Sequence, residues 1–120
     1  MNSHIMLFCK EAYPYCQLIS KLAKKCLVAV SCDADEFAKY IKQRNYDLVL
    51  LEISSSEELF LKIVGDIVSL NLKPPIILLG GNGLESAIAE AFRLGAGDYF
   101  PKPVDFDLLV ERIFALLKTK

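Results

Sequence analysis

Short apolar runs alternate with longer segments of helical periodicity along the whole chain, and this alternation is what most constrains the fold. Residues 5–9, 27–30, 48–53, 76–79 and the short stretch 98–101 have the apolar character of strands. Runs of this length without polar alternation suit strands covered on both faces. After the first, Pro14 suits an opening helical turn, and Cys16, Leu18, Ile19, Leu22 and Ala23 recur at helical spacing, which predicts a helix to about Lys25. Asp33 or Asp35 can cap a second helix with an apolar face of Phe37, Ala38, Tyr40 and Ile41. Ser54-Ser55-Ser56 followed by Glu57 and Glu58 marks a third helix start, continued by Leu59, Phe60, Ile63, Val64, Ile67 and Val68 and blocked by Pro74-Pro75. A fourth helix over 85–94 stops at Gly95. Asp105 caps a fifth that carries Leu108, Leu109, Ile113, Phe114, Leu116 and Leu117.

The order βαβαβαβαβα implies one mostly parallel sheet with helices on both faces. Right-handed crossovers leave few topologies, and at 120 residues the expectation is a single domain over 1–120 with an α/β, doubly wound, flavodoxin-like (βα)5 fold of strand order 2-1-3-4-5. Ligands of such sheets sit outside the carboxyl ends of the strands, at the switch point between strands one and three. Phe8, Cys9, Lys10, Glu11 and Glu52 end those strands, and Gly80 and Lys102 follow strands four and five.

Composition excludes several classes. A net charge of −1 gives no electrostatic footprint for nucleic acid and no polybasic patch for a membrane surface. No apolar run approaches the roughly 18 residues a spanning helix needs, and the start of the chain is no signal peptide, so a cytoplasmic location is expected. Residues 1–4 read as an expression leftover, and His4 is given no role. Cys9, Cys16, Cys26 and Cys32 match no metal spacing and are expected to be reduced, mostly buried thiols. Cys9 and Cys32 nevertheless end neighbouring strands, which leaves a redox disulfide open, with Lys10 lowering the pKa of Cys9. Gly80-Gly81-Asn82-Gly83 is expected to be a plain turn rather than an anion cradle.

Asp98-Tyr99-Phe100-Pro101-Lys102-Pro103, taken with the acid Glu52 that ends the third strand, resembles the receiver domain of two-component response regulators. The resemblance implies that Glu52 stands at the phosphoacceptor position, where the family has aspartate. It implies a phosphoryl-contacting lysine at Lys102, a cis bond before Pro103 and a switch aromatic at Tyr99. The family's metal-binding acidic pair would fall at Cys9 and Lys10, with Glu11 one place further on, and its hydroxyl residue at Gly80. Those departures predict weak or absent Mg²⁺ binding, because Mg²⁺ takes hard oxygen ligands in near-octahedral array. Glu52 also reaches about 1.5 Å further than aspartate, in a reaction sensitive to about 1 Å of misplacement. A charge cluster of Glu52 with Lys102, open to Lys10 as a second cation, is expected instead, beside the plainer reading of a solvated loop edge whose charges interact weakly.

These features lead to an atypical receiver domain, not an enzyme and without cofactor, that signals by protein–protein contact without phosphorylation. Its partner would be a histidine kinase or an effector domain, with no nucleic acid bound by this domain. A homodimer through the fourth-helix, fifth-strand and fifth-helix face, carrying Glu90, Arg93, Asp98, Lys102, Glu111 and Arg112, stands beside an ordinary solvated face. Tyr99 is either a switch or a groove-filling aromatic. The alternatives are a weak or transient phosphoacceptor, and a small flavodoxin-like ligand-binding or redox protein. The end of the chain directly after the last helix fits a unit excised from a longer regulator.

Overall fold

Leu48, Val49, Leu50 and Leu51 are all fully buried, and the fold is built around the strand they form. The computed structural model describes residues 3–53, 56–80 and 83–118. The expectations for Met1, Asn2, Ser54, Ser55, Gly81, Asn82, Thr119 and Lys120 lie outside the described residues. The strands are β1 (Ser3–Phe8), β2 (Cys26–Ser31), β3 (Leu48–Glu52), β4 (Ile76–Leu79) and β5 (Asp98–Phe100), and the helices are α1 (Cys16–Ala23), α2 (Ala34–Gln43), α3 (Glu57–Val68), α4 (Glu85–Leu94) and α5 (Phe106–Lys118). All strand pairs are parallel, in the order β2-β1-β3-β4-β5. The α/β doubly wound, flavodoxin-like architecture is therefore the one the alternation predicts.

Side chains alternate across β3 as the pleat requires. Val49 and Leu51 join Phe37, Phe60, Ile63 and Ala87 in a layer under α2, α3 and α4. Leu48 and Leu50 join Leu18, Leu22, Leu109 and Ile113 in a layer under α1 and α5. Each helix buries one stripe, so Cys16, Tyr40, Leu59 and Leu108, assigned to apolar faces by periodicity, sit exposed at the stripe margins.

Caps explain most helix starts. Asp33, not Asp35, caps α2, its carboxylate accepting from the amides of Asp35 and Glu36. The Ser56 hydroxyl accepts from the Leu59 amide at the start of α3, and Asp105 Oδ1 accepts from the Leu108 amide at the start of α5. Gly95, at φ 138°, ends α4 in a conformation that glycine alone adopts cheaply.

Several boundaries differ from expectation. β1 begins at Ser3 rather than Ile5, and His4 is part of it: its amide donates to Asp47 Oδ2 at 2.8 Å, and the Asp47 amide returns a bond to its carbonyl at 2.7 Å. β1 also stops at Phe8, one residue short of Cys9. β2 is longer at both ends, while β3 and β5 each stop one residue early. α1 ends at Ala23 rather than Lys25, and the segment after Pro14 opens as a separate 3-10 turn, Tyr13–Tyr15, before α1 starts.

Leu50→Ala is expected to cost about 2–5 kcal/mol of unfolding free energy, the range for emptying a buried leucine site. Leu27→Ala, at a leucine that is 50% exposed, should cost far less. Urea denaturation of both variants measures the difference.

Candidate functional site

The parallel sheet brings the carboxyl ends of its strands to one edge, and the pleat decides which way Glu52 faces there. Leu48 and Leu50 pack toward α1 and α5, so Glu52, two residues on, faces the same side. Tyr15 occupies that side, buried in the same layer, and its hydroxyl donates to Glu52 Oε2. The backbone amide of Lys10 donates to Glu52 Oε1 at 2.9 Å. Lys102 Nζ stands 3.1 Å from Oε2. One carboxylate, only 12% exposed, thus receives donors from the turn after β1, the 3-10 turn and the segment after β5.

Electrostatics follow from this clamp. Burial pushes the Glu52 carboxyl upward, but the Lys10 amide, the Tyr15 hydroxyl and Lys102 together outweigh it and hold the group below its ordinary value. Tyr15 moves the other way: burial, then its bond to the carboxylate and the carboxylate's charge, raise its phenol.

The expected residues are distributed as follows. The Glu52–Lys102 pair forms as the topology predicts. Lys10 takes part through its backbone; its exposed ammonium makes no ion pair among the described residues, a correction to the two-cation form of the cluster. The reason is local: the strand ends at Phe8, and the chain turns so that the peptide N–H meets the carboxylate. Glu11 is exposed and makes no side-chain hydrogen bond or ion pair among the described residues. Gly80 is buried at φ 84°, its amide donating to the Phe100 carbonyl at 2.9 Å. The Lys102–Pro103 bond is cis. Tyr99 is half-buried against the layer under α2, α3 and α4.

Two cysteine expectations are corrected. Cys9 and Cys26 are buried, but Cys16 and Cys32 are exposed. Lys10 does not lower the Cys9 thiol; burial, the neighbouring Cys32 and Glu52 push it up to about 12. Among the described residues, no group of three or more His, Cys, Asp or Glu side chains gathers as a metal site. On the outer face, Arg93 pairs with Glu90 and Arg112 with Asp98.

Tyr15 is the residue that sequence reasoning missed. Periodicity passes over it, because it lies in the 3-10 turn and not on the α1 stripe. The available signal was its place, six residues past Cys9 in the loop that crosses the switch point.

Residues 15–114 match the family described as "Response regulator receiver domain". This chain belongs to that family, a family of two-component signalling. It is 34% identical over 86 residues to the transcriptional regulatory protein DltR of Streptococcus agalactiae, covering 72% of this chain and 38% of DltR. It is 30% identical over 82 residues to the transcriptional regulatory protein RprY of Bacteroides fragilis, covering 68% of this chain and 34% of RprY. The chain therefore spans little more than a third of the length of these curated relatives. In fold it superimposes on a response regulator from Thermotoga maritima with a TM-score of 0.85 at 20% identity, covering 98% of this chain and 99% of the other.

A carboxyl held below its unfolded value contributes stability that is complete above that value, ordinarily 4.5 for glutamate, and is lost as pH falls through the folded value. Glu52→Gln is expected to lose about 1.5–3 kcal/mol at neutral pH, the range for hydrogen bonds to a charged group. Denaturant titrations should show this difference shrinking on acidification; a difference constant with pH contradicts the clamp.

Proposed function

We propose that this chain is an atypical receiver: a regulatory, protein-binding module that works without phosphorylation at Glu52 and catalyses no reaction. The observation that carries this reading is that both oxygens of Glu52 are already engaged, Oε1 by the Lys10 amide and Oε2 by Tyr15 and Lys102. A phosphoacceptor must turn a carboxylate oxygen in line toward the incoming phosphorus, with a divalent cation neutralising the developing charge. Here an attacking oxygen would first have to give up its donors.

The donor set does not fit Mg²⁺ either. The two positions that the family uses for acids hold the buried sulfur of Cys9 and the cationic Lys10, and neither is a hard oxygen ligand. Glu52 is the one carboxylate of the clamp. Lys102 supplies the positive charge that faces it instead. Gly80 offers no hydroxyl to a phosphoryl oxygen.

In this reading the clamp holds the carboxyl edge of the sheet in one arrangement with no phosphoryl input. Tyr99 serves as a packed aromatic rather than a moving switch. The proposed contact surface is the face of α4, β5 and α5, for a histidine kinase, an effector domain or a second copy. Relatives named as transcriptional regulatory proteins support an effector that acts on transcription in a longer cytoplasmic regulator, while this domain contacts protein rather than nucleic acid. Among the described residues, no helix is long and apolar enough to cross a membrane.

Incubation with acetyl phosphate and Mg²⁺, followed by intact-mass measurement, should add no phosphoryl group. An amide NMR titration with Mg²⁺ and then beryllofluoride should leave Glu52, Gly80 and Lys102 unmoved. Saturable, Mg²⁺-dependent shifts there that spread to Tyr99 would restore a working phosphoacceptor and sink the proposal.

A further inference from the structure

Beside the clamp, two thiols face each other. Cys9 Sγ and Cys32 Sγ are 4.0 Å apart. The pair extends the β1–β2 register by one step beyond Phe8 and Ser31, and the Cys9 amide donates to the Ser31 carbonyl at 3.2 Å. Neighbouring strands lie about 4.8 Å apart, inside the Cα separation of roughly 4.4–6.8 Å that a disulfide spans. Both sides of the Cys32 turn are anchored: the Ser31 hydroxyl donates to the Asp33 carbonyl at 3.1 Å, and Asp33 caps α2. The two thiols differ in access. Cys9 is fully buried, whereas Cys32 is exposed and lines a surface cleft of about 390 Å³ with Lys10, Glu52 and Lys102.

We propose that Cys9 and Cys32 form a reversible disulfide, a redox-controlled modification site whose state is transmitted to Glu52 through the Lys10 amide. The oxidant class is a small disulfide such as oxidised glutathione. The Cys32 thiolate attacks one sulfur of that molecule, breaking its S–S bond. A mixed disulfide forms at Cys32, and the first glutathione thiolate leaves with the proton that Cys32 lost. The Cys9 sulfur then attacks Cys32 Sγ, expelling the second glutathione thiolate, which takes up the Cys9 proton. Two cysteines are oxidised and one glutathione disulfide is reduced to two thiols. The order follows from access: the buried Cys9, its thiol pushed up to about 12 by burial and by Cys32 and Glu52, cannot meet an external oxidant, so reactivity enters at Cys32. Forming the bond draws the two sulfurs together by about 2 Å, to the S–S length of ~2.05 Å. The next residue after Cys9 carries the amide bound to Glu52 Oε1, so this movement is felt at the clamp. The inference holds whether or not Glu52 accepts a phosphoryl group.

The test is equilibration of the whole chain in buffers of increasing glutathione disulfide to glutathione ratio, acid quenching, alkylation under denaturing conditions and peptide mapping. The expected product has lost the mass of two hydrogens, carries a linked Cys9–Cys32 peptide, and returns to four alkylated cysteines after reduction. Cys32→Ser, at an exposed position, should reduce the linked peptide to background. Cys16→Ser should leave it unchanged. In the oxidised wild-type chain the Lys10 amide resonance should shift. A stable glutathione adduct on Cys32 with Cys9 still alkylated, linkage through Cys16, or four unreacted thiols at every ratio would each overturn the disulfide. A disulfide that leaves the Lys10 amide unshifted would overturn its link to Glu52.

Discussion

Burial of β3 on both faces is the constraint from which the rest of this structure follows. A strand with four consecutive residues withdrawn from water cannot lie at an edge or against solvent, so it demands neighbours on both sides and a helix layer on each face. Each such side chain stabilises the fold by about 1.5–3 kcal/mol relative to exposure, and together they fix the register. A one-residue slip would exchange the two layers and turn Glu52 toward the α2–α4 side, away from Tyr15. The position of the one acid at the strand end is thus set by hydrophobic packing and not by charge.

Charge then decides what that position is. Taking a carboxylate largely out of water costs several kcal/mol unless donors replace the lost hydration. Here an amide, a phenol and an ammonium do so, and their combined effect exceeds that of burial, since the carboxyl is held below its ordinary value. The donors come from three separate segments of chain, so the carboxylate also ties the loops of the carboxyl edge together.

Much of this was legible from residues alone. Apolar runs and caps such as Asp33, Asp105 and Gly95 gave the elements, and topology brought Glu52 to Lys102. What stayed hidden depended on features that periodicity does not encode. Tyr15 faces inward because a short 3-10 turn precedes α1, and Lys10 contributes a peptide group, which every residue possesses. Cys9 beside Lys10 suggested a lowered thiol pKa, yet proximity in sequence lost to desolvation in space. Spacing alone also makes the helix stripes wider than what is buried: Tyr40 and Leu108 have helical spacing but sit exposed, while Phe37, Ile41, Leu109 and Ile113 of the same helices are buried.

Gly80 carries a consequence for how this domain can change. A Cβ at that position would lie 3.0 Å from Lys102 Cε, and its φ of 84° strains any other residue. A side chain at 80 and the present Lys102–Glu52 bridge therefore compete for one volume. Substitutions at 80 and 102 are thereby coupled: the Lys102 stem must give by a few tenths of an ångström to admit a side chain at 80, so the cost of that side chain depends on which residue stands at 102.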